Sequence, residues 1–448
     1  MARPQLSVSP YWELIFDADG DAETRSRDRL LTGVAQHGVR DLLVFAHGWN
    51  SDRSGATRLY DRFFTHVPRL APTAKIGYVG VVWPSMRFSD EPIPDFPRSV
   101  AATTTARPTL DKDTRHALLE TFPGRATVVD QLARLLDQQS REEAELDEFV
   151  RLVRLLVDLV PPGPQALFAA DTLAEGVPQD EPEMFRATAA EVCGEFGRAL
   201  ARVRSPGQAS FSLPNPWEGA HELLRQAAYF AMKRRAGTVG ERGLGRVIGQ
   251  LAERSPRTRV HLIGHSFGGR LVSFALRGLP EGVRTVKSVT LLQAAFSHYA
   301  FAARLPHDSR AGGVLQGQQN RIDGPLVCCY SEHDDALGTM YPLASRMAGH
   351  DRELHEVAIG RALGVKWGAL GFDGVQAVPG TRNMKLAEAL RGPLPAKGCV
   401  NVDAAAVVRR GGPPAGAHSD IAHRELARLV LAAGRVRGPA AAPDVPPG

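Results

Sequence analysis

The stretch Gly264-His265-Ser266-Phe267-Gly268-Gly269 stands between a short apolar run, Val260-His261-Leu262-Ile263, and a segment with helical spacing, residues 270–276. A strand that turns into a helix over so few residues has little backbone freedom. Glycines two places before and two places after Ser266 let strand and helix cross without a Cβ between them. The serine is then held in a strained conformation that aims its hydroxyl into a cleft. The spacing predicts a nucleophile elbow with Ser266 as the nucleophile. Gly makes up 44 of the 448 residues, so the five-residue pattern is weak alone, and the flanking strand and helix carry the reading.

Apolar runs bounded by turn residues recur at 14–16, 41–46, 76–83, 260–263, 286–293, 326–330 and 399–402. Segments with apolar residues at i, i+3 and i+4 spacing separate most of them, at 55–67, 244–253, 270–277 and 421–433. This alternation predicts an α/β fold with a mostly parallel central sheet and helices on both faces. About 150 residues after Trp83-Pro84 break the alternation, too long for an ordinary connection. Helical periodicity at 127–136, 142–160, 183–203 and 217–235 predicts a helical cap over the sheet's carboxyl edge. The expected organisation is a core of residues 1–85 and 238–433, a cap insertion of 86–237 and a disordered, Ala/Pro/Gly-rich tail of 434–448. The connection 341–395 reads as loops and short elements.

The four cysteines, Cys193, Cys328, Cys329 and Cys399, show neither a disulfide framework nor metal-ligand spacing, which suits a reducing compartment. A net charge of +5 carried by dispersed arginines is a mild bias, and doublets such as Arg409-Arg410 read as solvated faces rather than a nucleic-acid stripe. The N-terminal residues show no export-type apolar core. The longest apolar stretch, 149–160, is interrupted by Arg151, Arg154 and Asp158, so no stable membrane insertion and a cytoplasmic location are expected. The sequence carries no signal for oligomeric state. Asp17, Asp19 and Asp21 are spaced somewhat like a calcium loop, but Gly20 falls at the fourth place and no Glu closes the frame. A tight acidic turn between two strands is expected there, and no metal site.

A serine hydroxyl needs a base within hydrogen-bond reach, and the base needs a group that sets its tautomer. After the run 326–330 comes Ser331-Glu332-His333-Asp334-Asp335, which places carboxylates just past a strand's carboxyl end. Asp334 is preferred as the acid and Asp335 is the reserve, the alternative role for either being a helix N-cap. After the run 399–402 and a Gly/Pro loop comes Gly416-Ala417-His418-Ser419-Asp420. His418 lies in the loop and is the expected base, whereas His423 is expected inside the following helix. Leu42 to Asn50 supplies a strand and loop for an oxyanion hole, with Trp49 and Phe267 as backbone donors and Gly48 permitting close approach. His47 is expected to hold this loop by a hydrogen bond.

These residues resemble the α/β-hydrolase superfamily, over 41–83 and 240–433. Within it, Phe45-Ala46-His47-Gly48-Trp49-Asn50, Gly264-His265-Ser266-Phe267-Gly268 and Gly416-Ala417-His418-Ser419-Asp420 are similar to poorly characterised bacterial members, and 13–17 resembles their opening strand. The resemblance implies a Ser266-His418-Asp334 acyl-enzyme mechanism on a small-molecule acyl substrate, with no cofactor. A carboxylic ester with an apolar moiety is the expected substrate, and residues 149–168 of the cap are expected to wall its pocket. An acyltransferase with the same triad and a non-catalytic binding protein of this fold are the alternatives. The insertion departs from the resemblance by following the strand that ends at Trp83, not the strand at 286–293.

Overall fold

A computed structural model of the chain describes residues 6–49, 51–86, 88, 109–157, 170–174, 187–204, 215–341, 368–412 and 415–436. Its strands are β1 (Tyr11–Ile15), β2 (Asp41–Ala46), β3 (Ile76–Val82), β4 (Thr172–Ala174), β5 (Arg259–His265), β6 (Val286–Leu292), β7 (Ala311–Gly313), β8 (Pro325–Tyr330), β9 (Arg382–Lys385) and β10 (Gly398–Asp403). Eight of them form one sheet in the order β1-β3-β2-β5-β6-β8-β10-β9, and every neighbouring pair is parallel. Parallel neighbours need crossovers, and the helices supplying them cover both faces. All loops that leave the strands' carboxyl ends therefore gather along one edge.

The period-2 alternation of each strand sorts its side chains between two cores. Leu42, Val44 and Ala46 of β2 join one cluster with Val79, Val81, Val260 and Leu262. Leu43 and Phe45 join the other with Ile76, Tyr78 and Ile263. The helices α1 (Thr24–Gln36), α8 (Pro216–Thr238), α9 (Gly245–Arg254) and α10 (Phe267–Arg277) close the first face. The second is closed by α2 (Arg53–Phe64), α3 (Val67–Leu70) and the helix Arg424–Ala433. Phe45 is fully buried there, 5.1 Å from Phe63 and 5.2 Å from Tyr60 between ring centroids. Burying such a ring contributes about 1.5–3 kcal/mol. The adjacent Cys328 and Cys329 fall in opposite clusters, and all four cysteines are buried and free.

The insertion carries α4 (Lys112–Thr121), α5 (Ala126–Gln138), α6 (Glu143–Val157), α7 (Ala189–Arg204) and α8. Residues 158–160 and 183–186, also expected to be helical, lie outside the described residues, as do 437–448 of the tail. Thr188 and Glu191 start α7 as a reciprocal pair: the Thr188 hydroxyl accepts from Glu191 N at 3.3 Å and the Glu191 carboxylate accepts from Thr188 N at 3.1 Å. Asn215 caps α8, accepting from Trp217 N at 3.0 Å, with Pro216 in the first turn. At its other end α8 runs through a π-helical turn, Val239–Leu244, straight into α9. Helix thus continues across the boundary drawn at 237/238, and the insertion shares one apolar core with the sheet.

A buried ionic cluster ties the same parts together. Asp171 accepts from Lys233 Nζ of α8 at 2.7 Å, from the Arg270 guanidinium of α10, from Tyr341 Oη at 2.9 Å and from Ser297 N at 3.1 Å. Burial would raise the Asp171 pKa, but Lys233 and Arg270 hold it below the usual carboxylate range. Such a cluster is costly to open, because any partner removed strands the others in a dry interior. Antiparallel pairing of β4 with β7 anchors the segment that carries Asp171.

Two local expectations need correction. The acidic turn is built as expected, with Asp17 Oδ1 accepting from Asp19 N and Asp21 N at 3.0 and 2.8 Å, but it leads from β1 into α1 rather than into a strand. α1 itself has too few apolar residues to stand out, burying Leu30, Leu31 and Val34. The last helix begins at Arg424, so His423 is its extended N-cap and not an interior residue.

Candidate active site

Ser266 stands between β5 and α10 with φ 54 and ψ −123, the strained backbone that the elbow spacing predicts. Its amide donates to Leu292 O at 3.1 Å, and its carbonyl accepts from Gly269 N at 3.0 Å and Ala295 N at 3.2 Å, so β6 and α10 both hold the turn. A Cβ on Gly268 would lie 1.9 Å from Ala46 O, which explains the glycine where α10 crosses the end of β2. The Ser266 side chain is 1% exposed, and its Oγ has no hydrogen-bond partner among the described residues.

The structure brings Asp334 and His418 to the same edge. His418, in the loop after β10, places Nδ1 2.8 Å from Oδ2 of Asp334, in the loop after β8. Asp334 is fully buried and also accepts from Gln293 Nε2 at 3.1 Å on Oδ2 and from Leu337 N at 3.0 Å on Oδ1. With its oxygens so occupied the carboxylate can only accept, and His418 must carry its proton on Nδ1, leaving Nε2 as the basic nitrogen. Asp335 is the N-cap of the π-helical turn Ala336–Met340, and burial and the neighbouring Asp334 raise its pKa. His423 bonds Asp420 Oδ1 at 2.9 Å, while Asp420 Oδ2 accepts from the amides of Arg409 and Arg410.

The loop after β2 passes over the serine. A Cβ on Gly48 would lie 2.7 Å from Ser266 Cβ and 3.2 Å from Oγ, so this approach requires glycine. His47 holds the loop: its Nδ1 donates to Gly48 O at 2.7 Å, its amide donates to Tyr60 Oη at 2.9 Å and its carbonyl accepts from Trp83 Nε1 at 3.0 Å. Burial pushes the His47 pKa down to about 4, so the ring is neutral near pH 7. Phe267 is the first residue of α10, whose opening N–H groups have no intrahelical acceptor. Trp49 packs its ring 6.4 Å from Phe267, 5.6 Å from Tyr229 of α8 and 6.1 Å from Phe88.

The segment expected to wall the pocket, 149–168, is described only in part. Phe149 is fully buried 5.8 Å from Trp217, inside the insertion, and residues 158–168 lie outside the described residues. The insertion reaches the site through α8, where the Tyr229 ring packs, tilted, 4.5 Å from that of Phe267. Sequence reasoning also missed Gln293, a polar residue closing a buried apolar run with φ 46, and its placement at a strand's carboxyl end was the available signal.

A second Ser-His-Asp set lies inside the sheet. His261 of β5 bonds Ser288 Oγ of β6 through Nδ1 at 2.9 Å and Asp41 Oδ1 of β2 through Nε2 at 2.9 Å. Asp41 is the first residue of β2 and the other two are third in their strands, so the set sits towards the amino ends, away from the elbow. His261 is fully buried and Ser288 is 1% exposed within extended strand. Open parallel sheets bind ligands at the carboxyl ends, and a serine in a regular central strand has neither the strained turn nor the adjoining helix N-terminus. This set satisfies buried polar groups between strands.

Three buried histidines make stability fall in acid. Burial lowers the pKa of His47 to about 4, of His265 to about 3, and of His261 as well despite the Asp41 bond. The folded state refuses protons that the unfolded chain takes up from about pH 6.5 downward. Stability is therefore full above that pH and declines as pH falls toward the folded values, by up to about 1.4 kcal/mol per pH unit for each histidine. Urea midpoints measured from pH 7.5 to 5 should fall steadily, and midpoints that stay level would contradict neutral burial.

Among the described residues no group of His, Cys, Asp and Glu is placed to hold a metal ion, and no helix is long and apolar enough to cross a membrane. Comparison with protein-family models, curated proteins and solved structures finds no match to this chain. The eight-stranded parallel sheet between two helical layers, with a large helical insertion between core strands, matches the architecture of the α/β-hydrolase superfamily.

Proposed function

We propose that the protein is a serine hydrolase that transfers an acyl group from a carboxylic ester to Ser266 and then to water. The observation that carries this reading is the strained Ser266 turn on the same sheet edge as the 2.8 Å His418–Asp334 pair. Ser266 Oγ attacks the ester carbonyl and gives its proton to His418 Nε2. His418 returns that proton to the departing alcohol, and the same steps with water in place of the serine release the acid. Asp334 stabilises the imidazolium without taking its proton. Backbone N–H groups of Trp49 and Phe267 are the donors assigned to the oxyanion, a contribution that is often the largest in acyl transfer. The free cysteines favour a reducing, cytoplasmic setting.

The substrate's acyl portion is apolar. Trp49, Phe88, Tyr229 and Phe267 form an aromatic wall beside the nucleophile, and apolar walls with few polar groups select apolar ligands. A p-nitrophenyl ester series from acetate to octanoate should show kcat/KM rising with chain length beyond acetate. Highest activity on acetate with a steady fall thereafter would refute an apolar acyl site. Fluorophosphonate labelling of purified protein, located by peptide mass spectrometry, tests the chemistry separately: modification at Ser266 is expected, and absence of any labelling would favour a non-catalytic binding protein.

A further inference from the structure

The residue before the nucleophile lies between two loops of the site, those after β2 and β10. His265, the last residue of β5, is buried, with Nε2 2.9 Å from the main-chain carbonyl of His418. A carbonyl oxygen only accepts, so His265 Nε2 is the donor and its proton is fixed there. On its other side Nδ1 lies against the oxyanion loop, 3.3 Å from where a Cβ on Gly48 would stand. The ring centroids of His265 and His418 are 5.1 Å apart.

Resting on the assignment of His418 as the base, we infer that His265 is a positioning residue for the reaction: its Nε2–H holds the His418 main chain so that the base's Nδ1 stays on Asp334. Within its own loop the His418 amide donates to Ala415 O at 3.3 Å, and the neighbouring Ala417 amide donates to His333 O at 2.8 Å in the loop after β8; the His265 contact instead reaches across 153 residues to the end of a central strand. A base anchored to the same strand as its nucleophile keeps their separation independent of loop motion, and misplacement by about 1 Å can cost 100-fold in rate. The titratable groups facing His265 are His418 and His47, and burial among them keeps the ring neutral well below pH 7, so the donor persists across the working range.

His265→Leu removes the donor while keeping apolar bulk, and His265→Gln restores an N–H. The leucine variant should lose about 10- to 100-fold in kcat and in the rate of fluorophosphonate labelling, with KM within about twofold. Its kcat/KM profile should also shift to a lower apparent pKa, because a slack base loop weakens the Asp334 contact that favours imidazolium. The glutamine variant should recover most of the rate and the wild-type profile. Melting temperatures of both variants show whether they fold. A leucine variant within twofold of wild type would overturn the inference, as would equal losses in both variants with an unshifted profile, which would indicate packing alone. Wild-type protein that is not labelled at Ser266 overturns the serine-hydrolase reading along with this one, whereas a labelled wild type beside an unimpaired leucine variant overturns this one only.

Discussion

Ser266→Ala should abolish fluorophosphonate labelling and lower ester turnover by about 10⁴- to 10⁶-fold, while Ser288→Ala leaves both within about twofold. The pair of variants separates two serines that each have a histidine and an aspartate in reach. Ser288 bonds His261 at 2.9 Å, a shorter-range triad on paper than Ser266, whose Oγ has no partner among the described residues. The difference lies in what surrounds the bonds. Ser288 is an interior residue of β6, between β5 and β8, in regular strand towards the amino ends of the sheet. Ser266 stands where strand passes into helix, beneath Gly48 and beside the first amides of α10. Ser288→Ala leaves His261 Nδ1 without its hydroxyl, which costs about 1–3 kcal/mol of stability and should appear as a lower urea midpoint rather than lower activity. A labelled Ser288, or activity that survives in Ser266→Ala, would move the active site to the other end of the sheet.

The parts of this molecule that were legible in its sequence are those whose cause is local. Glycines around Ser266 and the alternation in Leu42 to Ala46 follow from constraints that act within a few residues. β9 was missed because a short edge strand, Arg-Asn-Met-Lys, carries charges that discourage further pairing and so lacks an apolar run. Long-range polar contacts left less trace. Nothing near Asp171 shows that Arg270, 99 residues onward, will reach it, and nothing near Asp41 announces His261, 220 residues away. Such pairs form because a buried charge must be satisfied by whatever the topology brings past it. The cap was legible as helices but not as a rigid part of the core, since the Lys233–Asp171 contact and the unbroken passage from α8 to α9 are tertiary facts. The reading of 149–168 as the pocket wall rests on an apolar helix that has several neighbours to choose from, and in its described part Phe149 packs on Trp217.

Asp334→Asn should lower kcat by about 10⁴-fold with the protein still folded, and Asp335→Asn should change it by less than about threefold. The geometry explains the size of the effect. Three donors converge on the Asp334 carboxylate: His418 Nδ1 and Gln293 Nε2 on one oxygen, and Leu337 N on the other. An asparagine has one oxygen and one NH₂ group. If its oxygen faces His418 and Gln293, the NH₂ opposes the Leu337 amide, donor against donor. If it turns over, the NH₂ faces His418 and Gln293, and His418 can bond it only by moving its own proton to Nε2. The nitrogen that should accept the Ser266 proton is then already protonated. Either orientation also removes the negative charge that stabilises the imidazolium during attack, so the loss falls on kcat more than on KM. His418→Ala should be at least as damaging and His423→Ala nearly silent, since His423 bonds Asp420 in the loop rather than Asp334. A costly Asp335→Asn beside a mild Asp334→Asn would show that the bond from His418 Nδ1 to Asp334 is not the one used in turnover, and that the acid is the next residue along.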